Sequence, residues 1–215
     1  MSGAPVLALD CGETLFDETR QWSVWASWLG VPPFTLMVAL GAVLERNQPF
    51  STVFSLFDAD FDIDQQIALR RARCDGFSIT ASDLHPDVLP CLATLAAAGR
   101  PAVIAGTMTA QEQDEIRALE LPVATVISGR ELGHRNREAG FFVALSRRLA
   151  VPVGDLLYLS HRSDTAGVAA RQAGAGFGYL RRGPLAYLRP ATGGPAAAEP
   201  RFRIESLAEL PAQLS

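Results

Sequence analysis

Short apolar runs, each bounded by glycine, proline or polar residues, recur along the chain at residues 6–9, 102–105, 124–127, 156–159 and 177–180. Their length and continuity predict buried strands. Between them, apolar positions recur with helical spacing at residues 86–98, 110–119, 138–149 and 164–173. Strand and helix alternating in this way predict an α/β fold with a doubly wound parallel sheet, in which ligands sit beyond the carboxyl ends of the strands.

Residues 15–81 break the alternation. They contain no clear strand, and QWSVWASWL, TLMVALGAVLER and DQQIALRRARC each have a helical pattern. The expected organisation is an α/β core of residues 1–14 and 82–215 with a helical cap, residues 15–81, inserted after the first strand to enclose a substrate. In the cap, Trp22, Trp25 and Trp28 recur at helical spacing and are expected to pack helices together, with contact to a substrate as the alternative. Arg70, Arg71 and Arg73 are expected on a solvated helix face. Towards the C-terminus, RRGPLAYLRPATGGPAAAEP predicts a mobile loop, FRI an edge strand, and Ser206 to Glu209 have the spacing of a capping box.

Composition narrows the function. At 215 residues and 48% hydrophobic the chain can bury a substantial core, and a net charge of -4 gives no electrostatic footprint for nucleic acid or an anionic membrane. All 19 basic residues are arginine, so no lysine amine is available for Schiff-base chemistry or as a compact counter-charge to phosphate. Cys11, Cys74 and Cys91 have neither disulfide nor zinc-ligand spacing. The acidic run FDADFDID fails the calcium-loop pattern, because Ile63 and Leu69 stand where that loop needs Gly and Glu. With no signal peptide before the first strand and no apolar run of about 18 residues, the expected location is the cytoplasm.

The candidate chemistry begins at LALDCGETL, where Asp10 is delivered to the end of the first strand. This stretch, the helical insertion and the later strand-end motifs resemble the haloacid dehalogenase superfamily of hydrolases over nearly the whole chain. The resemblance implies that Asp10 stands at the nucleophile position, with Thr14 and Leu15 kept. Gly12 occupies the position of the family's second, acid–base aspartate. In PAVIAGTMT the family's Ser or Thr position falls on Gly106, with Thr107 next to it. In GRELGHRNREAGFF the lysine position falls on Asn136, flanked by Arg135 and Arg137. In LLYLSHRSDTAGVAA the magnesium-binding acids are replaced by Ser160 and His161, with Asp164 or Ala166 at the last acidic position.

Magnesium needs hard oxygen ligands, which Gly12, His161 and Ala166 do not supply, so no metal and no cofactor is expected. Without metal, lysine and acid, an ordinary phosphatase would lose about 10²–10³ in rate for each missing donor. The metal-independent 2-haloacid dehalogenases of the same superfamily are the nearer likeness: their SSNxxD motif resembles SHRSD, with Ser160 and Asp164 matching and His161 in place of Asn.

The expected catalytic set is therefore Asp10, His161 and Asp164, with Thr14, Thr107, Arg135, Asn136, Arg137 and Ser160 facing the substrate. Asp10 alternatively serves turn hydrogen bonds, Asp164 a helix N-cap, and His161, which titrates near neutral pH when unperturbed, a structural bond. Cys11 is expected to point away from Asp10 into the core. Three functions remain open: a metal-independent enzyme acting on a small organic substrate, a pseudoenzyme binding a metabolite or protein partner, and a residual phosphatase. A homodimer is compatible with each.

Overall fold

The computed structural model describes residues 5–46, 48–73, 77–188 and 199–214. The chain divides into two compact units, one of Met1–Asp17 with Ile79–Ser215 and one of Glu18–Ser78. In the first unit six parallel strands form one sheet: β1 (Val6–Leu9), β2 (Val103–Gly106), β3 (Thr125–Ser128), β4 (Leu156–Ser160), β5 (Gly176–Leu180) and β6 (Arg203–Ile204). Their order is β3-β2-β1-β4-β5-β6. The chain winds outward from β1 in both directions, so the switch point of the sheet lies beside β1.

Alternation along the strands divides the core into two layers. Leu7, Leu9, Ile104, Leu157 and Leu159 pack with Val88, Leu92 and Leu95 of the helix Val88–Ala97 on one face. Ala8, Val103, Ala105, Tyr158 and Phe177 pack with Phe141, Phe142 and Leu145 of the helix Ala139–Leu149 on the other. Cys11 is buried with the first of these layers.

The second unit has its own core. Trp25 meets Phe54 edge-on at 5.0 Å between ring centroids, and Phe54 stacks on Phe61 at 4.6 Å. Arg70, expected on a solvated face, is buried instead, its guanidinium 4.4 Å from the Trp25 ring centroid; the flat cation is weakly hydrated and tolerates an aromatic face better than an ammonium would. Among the described residues no single helix is long and apolar enough to cross a membrane; Thr19–Leu29 and Pro33–Glu45 reach that length only together, across a bend of 109°.

The C-terminal segment is bound into the first unit. Ser206 caps Leu207–Glu209 through the reciprocal bonds of a capping box, and its hydroxyl also donates to Asp87 at 2.7 Å. Asp87 takes further bonds from the Leu207 N–H at 2.9 Å and from Arg182, and the other arm of Arg182 donates to the Thr14 carbonyl at 2.9 Å. Burial alone would raise the Asp87 carboxyl, but the Ser206, Arg182 and Leu207 donors outweigh it and hold it below its ordinary value. Arg182→Ala removes the cation and leaves a partly buried carboxylate with one partner fewer, so a loss of about 1.5–3 kcal/mol is expected in urea unfolding. A loss below about 0.5 kcal/mol, the scale of an ordinary surface change, would show that this clamp carries no stability.

Of the predicted mobile loop, residues 189–198 lie outside the described residues, as does Cys74; the part before them contains a helical turn, Leu185–Leu188.

Candidate active site

Register brings the first two groups together. Val6–Leu9 pairs residue by residue with Leu156–Leu159, so the next positions, Asp10 and Ser160, stand side by side at the carboxyl ends of adjacent strands. The Asp10 N–H continues the ladder to the Leu159 carbonyl at 3.0 Å. The Ser160 hydroxyl donates to Asp10 Oδ2 at 2.7 Å, and the Cys11 N–H to Oδ1 at 2.9 Å.

Asn136 arrives from the loop before the helix Ala139–Leu149. Its Nδ2 donates to both Asp10 oxygens, at 3.0 and 3.2 Å, and reaches the Tyr158 hydroxyl at 3.3 Å. Its Oδ1 accepts from the Thr107 hydroxyl at 3.2 Å, and its backbone N–H donates back to the same hydroxyl at 3.3 Å. Tyr158, which the sequence reading passed over, donates to the Ala105 carbonyl at 2.9 Å and fixes the far side of the amide. The result is a buried carboxylate, 5% exposed, gripped among the described residues by neutral donors.

Its electrostatics follow from that grip. Burial pushes the Asp10 carboxyl above its ordinary value; the Ser160 hydroxyl, the Cys11 N–H, the Tyr158 hydroxyl and the charge of Arg162 pull the other way without prevailing. The charge of Asp10 in turn joins burial in pushing the Tyr158 phenol far up, so Tyr158 stays a neutral donor.

Gly106 explains how Asp10 fits. A Cβ there would stand 2.8 Å from Asp10 Oδ1 and 3.3 Å from Cys11 Sγ. The position of the family's Ser or Thr is therefore filled by the carboxylate itself, and Thr107, one residue on, contacts Asn136 rather than Asp10.

Other expected residues have different duties. Thr14 and Ser160 are fully buried, so neither is open to a substrate: Ser160 is spent on Asp10, and Thr14 Oγ1 lies 3.3 Å from His161 Nδ1. Burial pushes the His161 imidazole down to about 3, with the charge of Arg162 adding to it and Asp164 opposing. His161 is therefore neutral at pH 7 and does not titrate there, contrary to the acid–base role drawn from its ordinary value. Asp164 neither contacts Asp10 nor caps a helix. It grips Arg162 through two bonds, 2.8 and 3.1 Å, inside a wide helical turn, Ser163–Gly167, whose N-cap is Arg162. Arg135 and Arg137 are exposed, and among the described residues neither touches Asp10.

The histidine has a pH signature. Between the ordinary value of 6.5 and about 3 the unfolded chain binds a proton that the folded chain excludes, so this contribution is complete above 6.5 and is lost as pH falls through that window. His161→Asn abolishes the slope, and the stability gap between wild type and variant should narrow from pH 7 to pH 4 in urea unfolding. Parallel curves would contradict a neutral, desolvated His161.

The magnesium implied by the resemblance does not fit these residues. Gly12, His161 and Ala166 offer no carboxylate, Asp164 is held by Arg162, and among the described residues no group of three or more His, Cys, Asp or Glu could hold an ion.

No family model matches the chain, and no curated protein matches it by sequence. Solved structures match over nearly its whole length. Magnesium-bound YfnB of Bacillus subtilis aligns with a TM-score of 0.72 at 14% identity, covering 98% of each chain. The L-2-haloacid dehalogenase of Xanthobacter autotrophicus, with chloropropionic acid covalently bound, aligns at 0.68 and 15%, again over 98% of each. A HAD-superfamily hydrolase of Geobacter sulfurreducens aligns at 0.65 and 17%, covering 99% of this chain and 98% of its own. The chain thus has the haloacid dehalogenase-like hydrolase fold, with a parallel α/β core.

Proposed function

We propose that this chain is a metal-independent enzyme of the haloacid dehalogenase-like fold, in which Asp10 is the nucleophile toward a small organic substrate. One observation carries the reading: the carboxylate beside the switch point of the sheet is buried, aimed by Asn136, Ser160 and the Cys11 N–H, and among the described residues no cation contacts it. Desolvation makes a carboxylate a stronger base and nucleophile, and carbon–oxygen bond formation discharges it.

In the reaction, an Asp10 oxygen bonds to the electrophilic carbon while the bond to the leaving group breaks, its electron pair departing on that group. Water then attacks the carboxyl carbon of the ester, releasing the alcohol and a proton and restoring Asp10. The sum is R–X plus water to R–OH, X⁻ and H⁺. Asn136 and Ser160 hold the carboxylate throughout; the dehalogenase of X. autotrophicus, with its covalently bound chloropropionic acid, is a precedent for covalent chemistry on this fold.

The test is a metal-free screen of small organic halides and esters, read by acid release and by the intact mass of the protein. Turnover insensitive to chelators, with a covalent adduct mapped to Asp10, is the expected result. Turnover that requires magnesium would overturn it. A second reading has its own support, since the hydrogen bonds already occupy both Asp10 oxygens: a protein that binds a ligand without turning it over. Saturable binding of a substrate-like molecule with no adduct and no acid release would establish that reading instead.

A further inference from the structure

Among the described residues, every group that touches the Asp10 carboxylate is electrically neutral: the Asn136 amide, the Ser160 hydroxyl and the Cys11 N–H. Arginines close to it in sequence or space are engaged or turned outward. Arg162 is gripped through both its Nε and Nη2 by Asp164, while Arg135 and Arg137, on either side of Asn136, are exposed. The chain contains no lysine. Asn136 supplies hydrogen bonds to both Asp10 oxygens without bringing a charge. Through Thr107 and Tyr158 the amide is held with Nδ2 toward the carboxylate, so two neighbours fix a neutral donor there.

A negative charge brought within reach of Asp10 would meet an anion in a poorly screened, buried position, offset only in part by Arg162, which Asp164 already pairs. We infer that the α/β unit's share of the site selects against anionic substrates, and that its substrate is an uncharged carbon electrophile with no carboxylate or phosphate beside the reacting carbon. This rests on Asp10 as the nucleophile and names the class of molecule it attacks.

Two probes that share a carbon skeleton and leaving group but differ in charge, 2-chloropropionamide and 2-chloropropionate, separate the issues on the full chain. Binding, followed by NMR shifts and melting temperature, tests charge selection. The amide is expected to bind at least about tenfold more tightly than the carboxylate, a modest share of the repulsion between close like charges in a protein. Asn136→Lys should reverse the order by restoring a cation, and Asp10→Asn should bring the two affinities together. Equal or tighter binding of 2-chloropropionate by the wild type would overturn the inference, as would saturable binding of neither probe. Chloride release and the Asp10 adduct test the underlying reading separately: preferential binding of the amide with no adduct leaves charge selection standing and removes Asp10 as nucleophile.

Discussion

Asp10→Asn is expected to raise the melting temperature while lowering turnover of the true substrate at least about 10²-fold, the scale of losing a positioned catalytic group. The carboxylate is buried, no cation among the described residues contacts it, and burial raises its pKa. The folded chain therefore holds the Asp10 proton to higher pH than the unfolded chain does. The contribution of Asp10 to stability declines as pH rises from the ordinary 3.8 through the raised value, and above that value the folded state carries the cost in full. An asparagine removes the charge and keeps most of the network: its oxygen accepts from Cys11 N–H and Asn136, and its amide faces Ser160 Oγ, which turns from donor to acceptor, with only the longer Asn136 bond at 3.2 Å given up. Each kcal/mol relieved should raise the melting temperature by about 2–4 °C in a chain of this size. A carboxylate kept only for its hydrogen bonds behaves in the opposite way, because the variant loses charge-assisted acceptors and gains nothing. A lower melting temperature in Asp10→Asn, at pH 7 and above, would therefore assign Asp10 to the architecture instead of the chemistry.

Much of this site was legible because it is written in strand ends. Asp10 and Ser160 each close an apolar run, and parallel register alone makes such ends neighbours. Asn136 is legible only through the resemblance, as the residue at the lysine position, and the capping box at Ser206 by its own signature. The rest depends on contacts that local pattern cannot encode. Tyr158 reads as one more apolar strand residue, although its hydroxyl reaches Ala105 and the Asn136 amide. Arg182 holds the Thr14 carbonyl, a backbone atom that no side-chain motif can announce. His161 reads as catalytic because an imidazole ordinarily titrates near neutral pH, and Asp164 because it matches the motif of the metal-independent dehalogenases. Burial against Thr14 takes the first out of the neutral range, and the Arg162 pair ties up the second. Arg70 reads as solvated because the pattern shows its charge and not the aromatic face beneath it.

Gly106→Ser puts back the hydroxyl residue that the superfamily carries at this strand end, and it is expected to damage the protein. The reason is geometric. The new Cβ would stand 2.8 Å from Asp10 Oδ1 and 3.3 Å from Cys11 Sγ. Neither neighbour can yield easily: Asp10 is held by Ser160, Asn136 and the Cys11 N–H, and Cys11 is packed in the core. Overfilling a site of this kind costs about 1–3 kcal/mol. Because the strain falls on the carboxylate itself, turnover should fall by on the order of 10²-fold, as expected when a reacting group moves by about 1 Å. Gly106→Ala should do nearly the same, since the clash belongs to Cβ and not to the hydroxyl. Gly154→Ala is the control, because a Cβ there meets nothing nearer than the Gly174 carbonyl at 4.0 Å, and it should leave both stability and turnover close to wild type. If Gly106→Ser were instead stable and faster than wild type, the strand end would have room for the missing hydroxyl, and the packing of Asp10 against β2 would not be what holds the carboxylate in place.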